Sequence, residues 1–256
     1  IGDIVLCTPV IRACVEQVCA EVHFLTKAKF RNLLAANPRL SKIYAFEDRL
    51  TEIKEELIED SVPKNPLELF RKWFDEVESG SIVDEPNAMT LSTVDEDGFP
   101  KGRVVLLKGY SQKGFVFYTN YDSEKGKAID HNPNVSLSFF WPKQERQVII
   151  KGRAQKVTET LSDEYFSKRP RKSQLGAIVS KQSEVIESRE QLESDLNELE
   201  ENYENKEIER PKNWGGYTVR AISIEFWQGR RSRLHDRIRY TFLKDNSNWK
   251  IERLSP

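Results

Sequence analysis

The 256-residue chain is short of the side chains from which protein-only catalysts are most often built, with 3 histidines, 3 cysteines and 1 methionine. Cys7, Cys14 and Cys19 are odd in number and have no histidine at metal-ligand spacing, so neither a disulfide framework nor a zinc site is expected. A nucleophile elbow, a phosphate-cradling glycine loop and a metal-binding histidine pair are all missing, which argues against hydrolysis by side chains alone. No apolar run approaches the roughly 20 residues that cross a bilayer, and the first residues lack the basic-then-apolar layout of a secretion signal. A cytoplasmic protein with no membrane partner is therefore expected. An excess of either charge is lacking too. Lysine plus arginine, 40, nearly cancels aspartate plus glutamate, 41. The net charge of -1 offers nucleic acid no long-range attraction, so any anion must be held by a local cluster.

What is present suits a globular protein, since 38% hydrophobic residues can form a real core. The composition changes sharply along the chain. All three cysteines precede residue 20, whereas Trp73, Trp141, Trp214, Trp227 and Trp249 all follow residue 70. The opening, IGDIVLCTPVIRACVEQVCAEVHFLT, reads as an apolar strand, a helix and a second strand at Glu21 to Thr26, the rhythm of a parallel β-α-β unit. Such a unit needs further strands to cover both faces.

The run TEIKEELIED, Thr51 to Asp60, is charged and helix-favouring until the prolines of SVPKNP break it, which places a junction there. PLELFRKWFDEVE follows, with Leu67, Phe70, Trp73, Phe74 and Val77 on one helical face, a core pattern. From Ala88 the pattern changes to strands. AMTLSTVD and GRVVLLK flank a DEDGFP turn, FVFYTN follows SQKG, and VSLSFFW and RQVIIKGRAQKV continue the meander. SEKGKAIDHNP reads as a short helix between them. Helical stretches that include Glu187 to Tyr203 come next, then strands at Tyr217 to Trp227, Arg237 to Phe242 and Trp249 to Leu254. Short strands joined by tight turns suggest a small antiparallel barrel.

Several cations stand inside these apolar strands. Arg103 and Lys108 bracket VVLL, and Arg146 with Gln147 opens VIIKG; such residues either reach solvent or hold an anion. SKRPRKSQLGA gathers Arg169, Arg171, Lys172 and Ser173 around a proline that can start a helix, which fits a phosphate dianion or a solvated basic turn. EFWQGRRSRLHDRIRY places two large rings, a Gln-Gly turn and then Arg233, His235, Asp236 and Arg237 together, enough to stack on a planar ligand and surround it with charge.

Two resemblances follow from these segments. GDIVLCTPVIRA, FLTKAKFRNLL and ANPRLSKIYAF resemble the N-terminus of heptosyltransferase-like glycosyltransferases over about the first 48 residues. Because the rest of that fold is missing and the chain begins at isoleucine, this segment is expected to be a non-functional fragment from a fusion or chimera, with residues 49-64 as the junction. The remainder, 65-256, resembles the pyridoxine/pyridoxamine 5′-phosphate oxidases. It carries, in family order, EPNAMTLSTVDEDGFPKGRVVLLK, GFVFYTNYDSEKGK, FFWPKQERQVIIKG, YFSKRPRKSQLGA, SKQSEVI, WGGY, EFWQGRRSRLHDRIRY and WKIERLSP.

This second resemblance implies a mainly β fold with flanking helices, the FMN-binding split barrel of six antiparallel strands in Greek-key order. It also implies an obligate homodimer with FMN at the interface. Position by position, it sets Arg103, Val104, Val105, Leu106, Leu107, Lys108, Tyr118, Thr119, Lys125, Gln147, Gln182, Ser183, Trp227 and Arg237 around FMN. Lys108, Tyr165, Arg169 and Ser173 would grip the substrate phosphate, with Arg233 and His235 over the pyridine ring. The implied reaction moves a hydride from the 4′ carbon to FMN, and dioxygen then reoxidises the flavin to give hydrogen peroxide. Arg233 would orient the substrate and stabilise charge, aided by His235. With a pKa above about 12, an arginine is a poor proton acceptor at neutral pH.

Three departures from the family pattern carry expectations. Glu124 stands where many relatives have arginine, removing a cation beside Lys125 and implying weaker FMN binding. Glu85 replaces an aspartate at unchanged charge. Arg49-Leu50-Thr51-Glu52 stands where the family often has Arg-x-x-Tyr, so a lid tyrosine is missing and weaker substrate binding is expected. The alternatives are another flavin or deazaflavin reductase on the same barrel, which would not need the Arg233 and Arg169 clusters, and a protein that binds FMN or pyridoxal phosphate with little turnover.

Overall fold

The computed structural model describes residues 57-80, 83-245 and 248-256 in full and the backbone of 23-27 and 42-46. The chain divides into two compact units, Ile1-Glu56 and Leu57-Pro256. In the first unit, β1 (His23-Lys27) pairs in parallel with β2 (Lys42-Phe46), His23 opposite Lys42. β1 covers most of the strand expected at Glu21 to Thr26. The expected opening strand and helix, and residues 51-56 of the expected charged helix, lie outside the described residues. Of that run, Leu57-Asp60 is non-helical and Leu57 is buried.

In the second unit, α1 (Pro66-Ser79) begins where the Asn65 side chain accepts a bond from the Leu67 amide at 3.1 Å and Pro66 supplies a preset backbone angle. Its apolar face buries Leu69, Phe70, Trp73, Phe74 and Val77. Phe70 is fully buried and meets Phe115 and Phe139 edge-on, with ring centroids 5.1 and 5.3 Å away. This helix is packed against the barrel by aromatic contacts.

The strands are β3 (Ala88-Val94), β4 (Pro100-Leu106), β5 (Gly109-Ser111), β6 (Gly114-Asn120), β7 (Asn134-Trp141), β8 (Arg146-Lys156), β9 (Trp214-Gln228), β10 (Asp236-Leu243) and β11 (Asn248-Arg253). The hairpin between β3 and β4 turns at Gly98, whose φ of +83° suits glycine, while the Asp95 carboxylate accepts from the Phe99 amide at 2.8 Å. The ladder runs β11-β10-β9-β8-β7-β3-β4, every neighbour antiparallel. β9 is the strand that shapes the molecule. One edge pairs with β8 along nearly all its length, and the other divides between β6 at its start and β10 at its end. The chain leaving β4 runs through Lys108, whose amide donates to the Val116 carbonyl of β6 at 2.8 Å, into β5, which pairs with β6, so β4, β3, β7, β8, β9 and β6 close into a six-stranded barrel. β10 and β11 extend from its split edge. This is the split-barrel architecture expected from the resemblance.

Inward residues such as Phe117, Leu137, Val148, Val219 and Phe226 are fully buried. The segment before α1 is tied to the same unit, since the Tyr240 hydroxyl donates to the Pro63 carbonyl at 2.8 Å and Arg253 donates to the Leu57 carbonyl. Four more helices flank the barrel: α2 (Glu124-His131), α3 (Glu159-Ser167), α4 (Arg171-Val179) and α5 (Arg189-Asn202). Phe166, Leu175, Ile208 and Trp214 form a second, smaller core beneath them. Among the described residues, no helix is long and apolar enough to cross a membrane.

Candidate functional site

A cleft of about 940 Å³ opens between β4, β6, the start of α2, the turn from α3 to α4, and residues 180-183. Six cations line it, Lys101, Arg103, Lys108, Lys125, Lys168 and Arg169, against the single carboxylate of Glu124. Lys125 is nearly buried at 9% exposure because it is the second residue of α2, which starts where the Ser123 hydroxyl accepts from the Gly126 amide. Its ammonium donates to the Ser123 hydroxyl at 3.2 Å and to the Gln182 side-chain oxygen at 3.1 Å, which also accepts from the Thr119 hydroxyl at 3.2 Å. Arg103 donates to the Thr93 hydroxyl at 2.7 Å and the Leu91 carbonyl at 3.2 Å. Neither cation has an ion-pair partner among the described residues. Burial lowers both pKa values, proximity to Arg103 lowers that of Lys125 further, and Glu124 partly offsets each effect. Two desolvated cations side by side favour an anion between them.

Also lining the cleft, Tyr118 and Tyr165 stack with centroids 3.9 Å apart and planes 9° apart, and Trp214 lies parallel to Tyr118 at 5.6 Å. The Arg169 guanidinium sits 4.5 Å over the Trp214 ring, and its Nη1 is buried without a hydrogen-bond partner. Burial pushes its pKa down. A buried guanidinium nitrogen left unbonded is costly unless a ligand accepts from it. Pro170 caps α4, which brings Ser173 to the same wall. Arg171, two residues beyond Arg169 in the same basic string, bonds the carbonyls of Tyr203 and Lys206 instead.

The remaining expected residues form a second group. Gln147 on β8 lies opposite Trp227 on β9, which lies opposite Arg237 on β10, so three strands present them in one row. Arg237 is braced by Glu225 at 2.9 Å and by the Ser255 carbonyl at 3.0 Å. The His235 ring packs 4.7 Å from Trp227, and its Nδ1 accepts from the Arg230 amide at 3.1 Å. The neutral imidazole thus carries its proton on Nε2. Arg233 is exposed, in left-handed backbone at φ +62° directly after Ser232 at +58°. Arg230 and Arg253 both donate to Asp236, at 2.7 and 2.9 Å, fixing the end of this loop.

None of this second group lines the cleft. Trp214, which does, and Trp227 stand at opposite ends of the 15-residue β9. Their separation along the strand is about 43 Å at ~3.3 Å per residue. Leu107 also stays away from the cleft, with its side chain in the core and both backbone polar groups bonded to Asn87. Cleft residues without an assigned role in the sequence include Lys101, Lys168 and Trp214. Lys101 sits two residues before Arg103 on β4, hence on the same face, which is the signal that could have found it. Arg146, read with Gln147 as a possible anion ligand, pairs with Glu76 of α1 and lies over Trp73.

Comparison with known proteins identifies the family. Residues 76-203 match the family model described as pyridoxamine 5′-phosphate oxidase, and 214-256 match the pyridoxine 5′-phosphate oxidase C-terminal dimerisation region. The pyridoxine/pyridoxamine 5′-phosphate oxidase of Flavobacterium johnsoniae is 62% identical over 202 residues, 79% of this chain and 94% of that protein. The protein of the same name from Leptospira biflexa is 52% identical over 209 residues, covering 81% and 97%. Among solved structures, PhzG of Burkholderia lata in complex with tetrahydrophenazine-1-carboxylic acid has a TM-score of 0.72 at 27% identity, covering 79% of this chain and 98% of that one. A pyridoxamine 5′-phosphate oxidase-related, FMN-binding protein of Nostoc punctiforme shares the fold at a TM-score of 0.60 and 15% identity, covering 76% and 100%. Both family models lie after residue 75, and residues 1-48 fall outside them. With the family models, the barrel and relatives of this identity in agreement, the chain belongs to the pyridoxamine 5′-phosphate oxidase family.

Proposed function

We propose that this protein oxidises pyridoxine 5′-phosphate or pyridoxamine 5′-phosphate to pyridoxal 5′-phosphate, with FMN as cofactor and dioxygen as the final acceptor, releasing hydrogen peroxide. The observation that carries the reading is that one cleft holds two differently built cationic groups, Arg103 with Lys125 and, over the Trp214 ring, Arg169 with its unpartnered Nη1. A phosphorylated flavin and a phosphorylated substrate need two such groups. When bound, FMN supplies the hydride-accepting chemistry.

Arg103 and Lys125 neutralise the flavin phosphate, while Thr119 and Gln182, already bonded to each other and to Lys125, keep that ammonium aimed into the cleft. Arg169 holds the substrate phosphate through the nitrogen that otherwise lacks a partner, with Lys108, Tyr165 and Ser173 also lining the cleft. This grip lies away from the reacting carbon and supplies orientation. Arg233 and His235 act at the pyridine ring. The His235 Nε2-H is the free donor, because Nδ1 is engaged by the Arg230 amide. Arg233 stabilises developing charge and moves no proton.

Since Arg233, His235, Trp227 and Arg237 lie outside the cleft of their own chain, the proposed site is completed by a second copy that brings this group over the first copy's cleft. All four fall within 214-256, the stretch matched by the dimerisation region. The departure at Arg49-Leu50-Thr51-Glu52 lies outside the described residues. The test mixes purified full-length protein, FMN and pyridoxine 5′-phosphate in air. Aldehyde and peroxide are expected in equal amounts. A yellow protein giving neither product would leave a flavin-binding protein and overturn the oxidase reading.

A further inference from the structure

Glu124 is the one acidic residue on the cleft wall, and it stands directly beside Lys125. Considered alone, it would oppose an anionic ligand. Its carboxylate is not alone, however. The Lys101 ammonium reaches across from β4 and bonds both oxygens, at 2.6 and 2.7 Å. Lys101 and Glu124 are 55% and 46% exposed, and an exposed pair of this kind adds little to folding stability. As the first residue of α2, Glu124 also complements the helix dipole, which accounts for a carboxylate there but not for the lysine bonded to it. Lys101 leaves β4 on the same face as Arg103, so the pair sits beside the half-buried Arg103 and the buried Lys125 that line the cleft.

We propose that Lys101 is a specificity-determining residue for the phosphorylated flavin, neutralising Glu124 so that a phosphate is accepted between Arg103 and Lys125. The inference rests on the FMN reading above and changes the expectation drawn from Glu124 alone. A carboxylate in place of an arginine weakens phosphate binding only where its charge is left uncompensated, and here it is compensated by a neighbour on another strand.

The test is a titration of full-length apoprotein with FMN and, separately, with riboflavin, which has the same ring system without the phosphate, followed by flavin fluorescence. Lys101→Ala should raise the FMN dissociation constant roughly tenfold, since it exposes an unpaired carboxylate near the phosphate, and the effect should shrink at high salt. Its riboflavin constant should stay unchanged. In Lys101→Ala/Glu124→Gln, most of the lost FMN affinity should return, because the offending charge is gone. Lys101→Met, which keeps the aliphatic stem, should behave as Lys101→Ala does and separates charge from packing. Wild-type protein that binds no FMN overturns both the flavin reading and this inference. Wild-type protein that binds FMN, with Lys101→Ala binding it as tightly, overturns this inference alone. So does an equal loss for FMN and riboflavin, or a double variant no better than Lys101→Ala.

Discussion

Replacing Arg169 by alanine should separate substrate capture from chemistry. Its Nη1 is buried without a hydrogen-bond partner, while the guanidinium lies 4.5 Å over Trp214. A charge-assisted hydrogen bond contributes about 1.5-3 kcal/mol, so losing the bond to the substrate phosphate should raise the Michaelis constant roughly ten- to 150-fold. Turnover at saturation should change little, since the lost contact is remote from the 4′ carbon and acts equally before and at the transition state. The stacking on Trp214 is lost as well, at about 0.5-1 kcal/mol, which lowers the melting temperature by a few degrees at most. Arg169→Lys keeps the charge but not the planar fork and should fall between the two. Initial rates of aldehyde formation at saturating FMN give both constants, and flavin fluorescence checks the cofactor. An unchanged Michaelis constant, or a fall in turnover and flavin content at fixed Michaelis constant, would refute the phosphate assignment.

Three further outcomes follow from other parts of the molecule. Arg233→Ala should lower turnover while the protein stays yellow, because Arg233 lies on the loop after β9 and outside the cleft that holds Arg103 and Lys125; loss of bound flavin would contradict this. FMN affinity should fall as pH rises through the Lys125 pKa, which burial sets below the ordinary 10.5, because the cation that pairs with the phosphate is then discharged. Riboflavin binding should lack this phosphate-dependent loss, and Lys125→Met should flatten the FMN profile. Phe70→Ala should destabilise the barrel unit by about 3-5 kcal/mol in urea denaturation, as it empties a fully buried ring site between α1 and the sheet; a loss under about 1 kcal/mol would mean the contact is not part of the core.

The strands were legible because alternating β-branched and aromatic residues meet turn residues at their ends, as in AMTLSTVD and FVFYTN, and α1 because its apolar residues recur at helical spacing. Leu57-Asp60, expected as the end of a charged helix, is non-helical. Leu57 is buried and its carbonyl is taken by Arg253, a partner 196 residues away that no local pattern reveals. The same limit governs the site. Arg169 and Arg171 are neighbours in one basic string, yet the turn into α4 sends the first to the cleft and the second to the carbonyls of Tyr203 and Lys206. Glu124 looked adverse in isolation, since Lys101 lies 23 residues earlier and reaches it only once β4 and α2 are packed together. The separation of the cleft from the Trp227 row was likewise invisible until β9 was seen to pair with β6 at one end and β10 at the other.

Subunit complementation tests most directly whether the two residue groups serve one reaction. Arg169→Ala and Arg233→Ala proteins, each weakly active at low substrate, are mixed, dissociated and allowed to reassociate. If each site takes its phosphate grip from one copy and its Arg233 loop from the other, random pairing restores about a quarter of the sites to native composition. Pyridoxal 5′-phosphate formation should then rise well above that of either parent. A mixture no more active than the average of its parents would contradict the two-copy site and the function built on it.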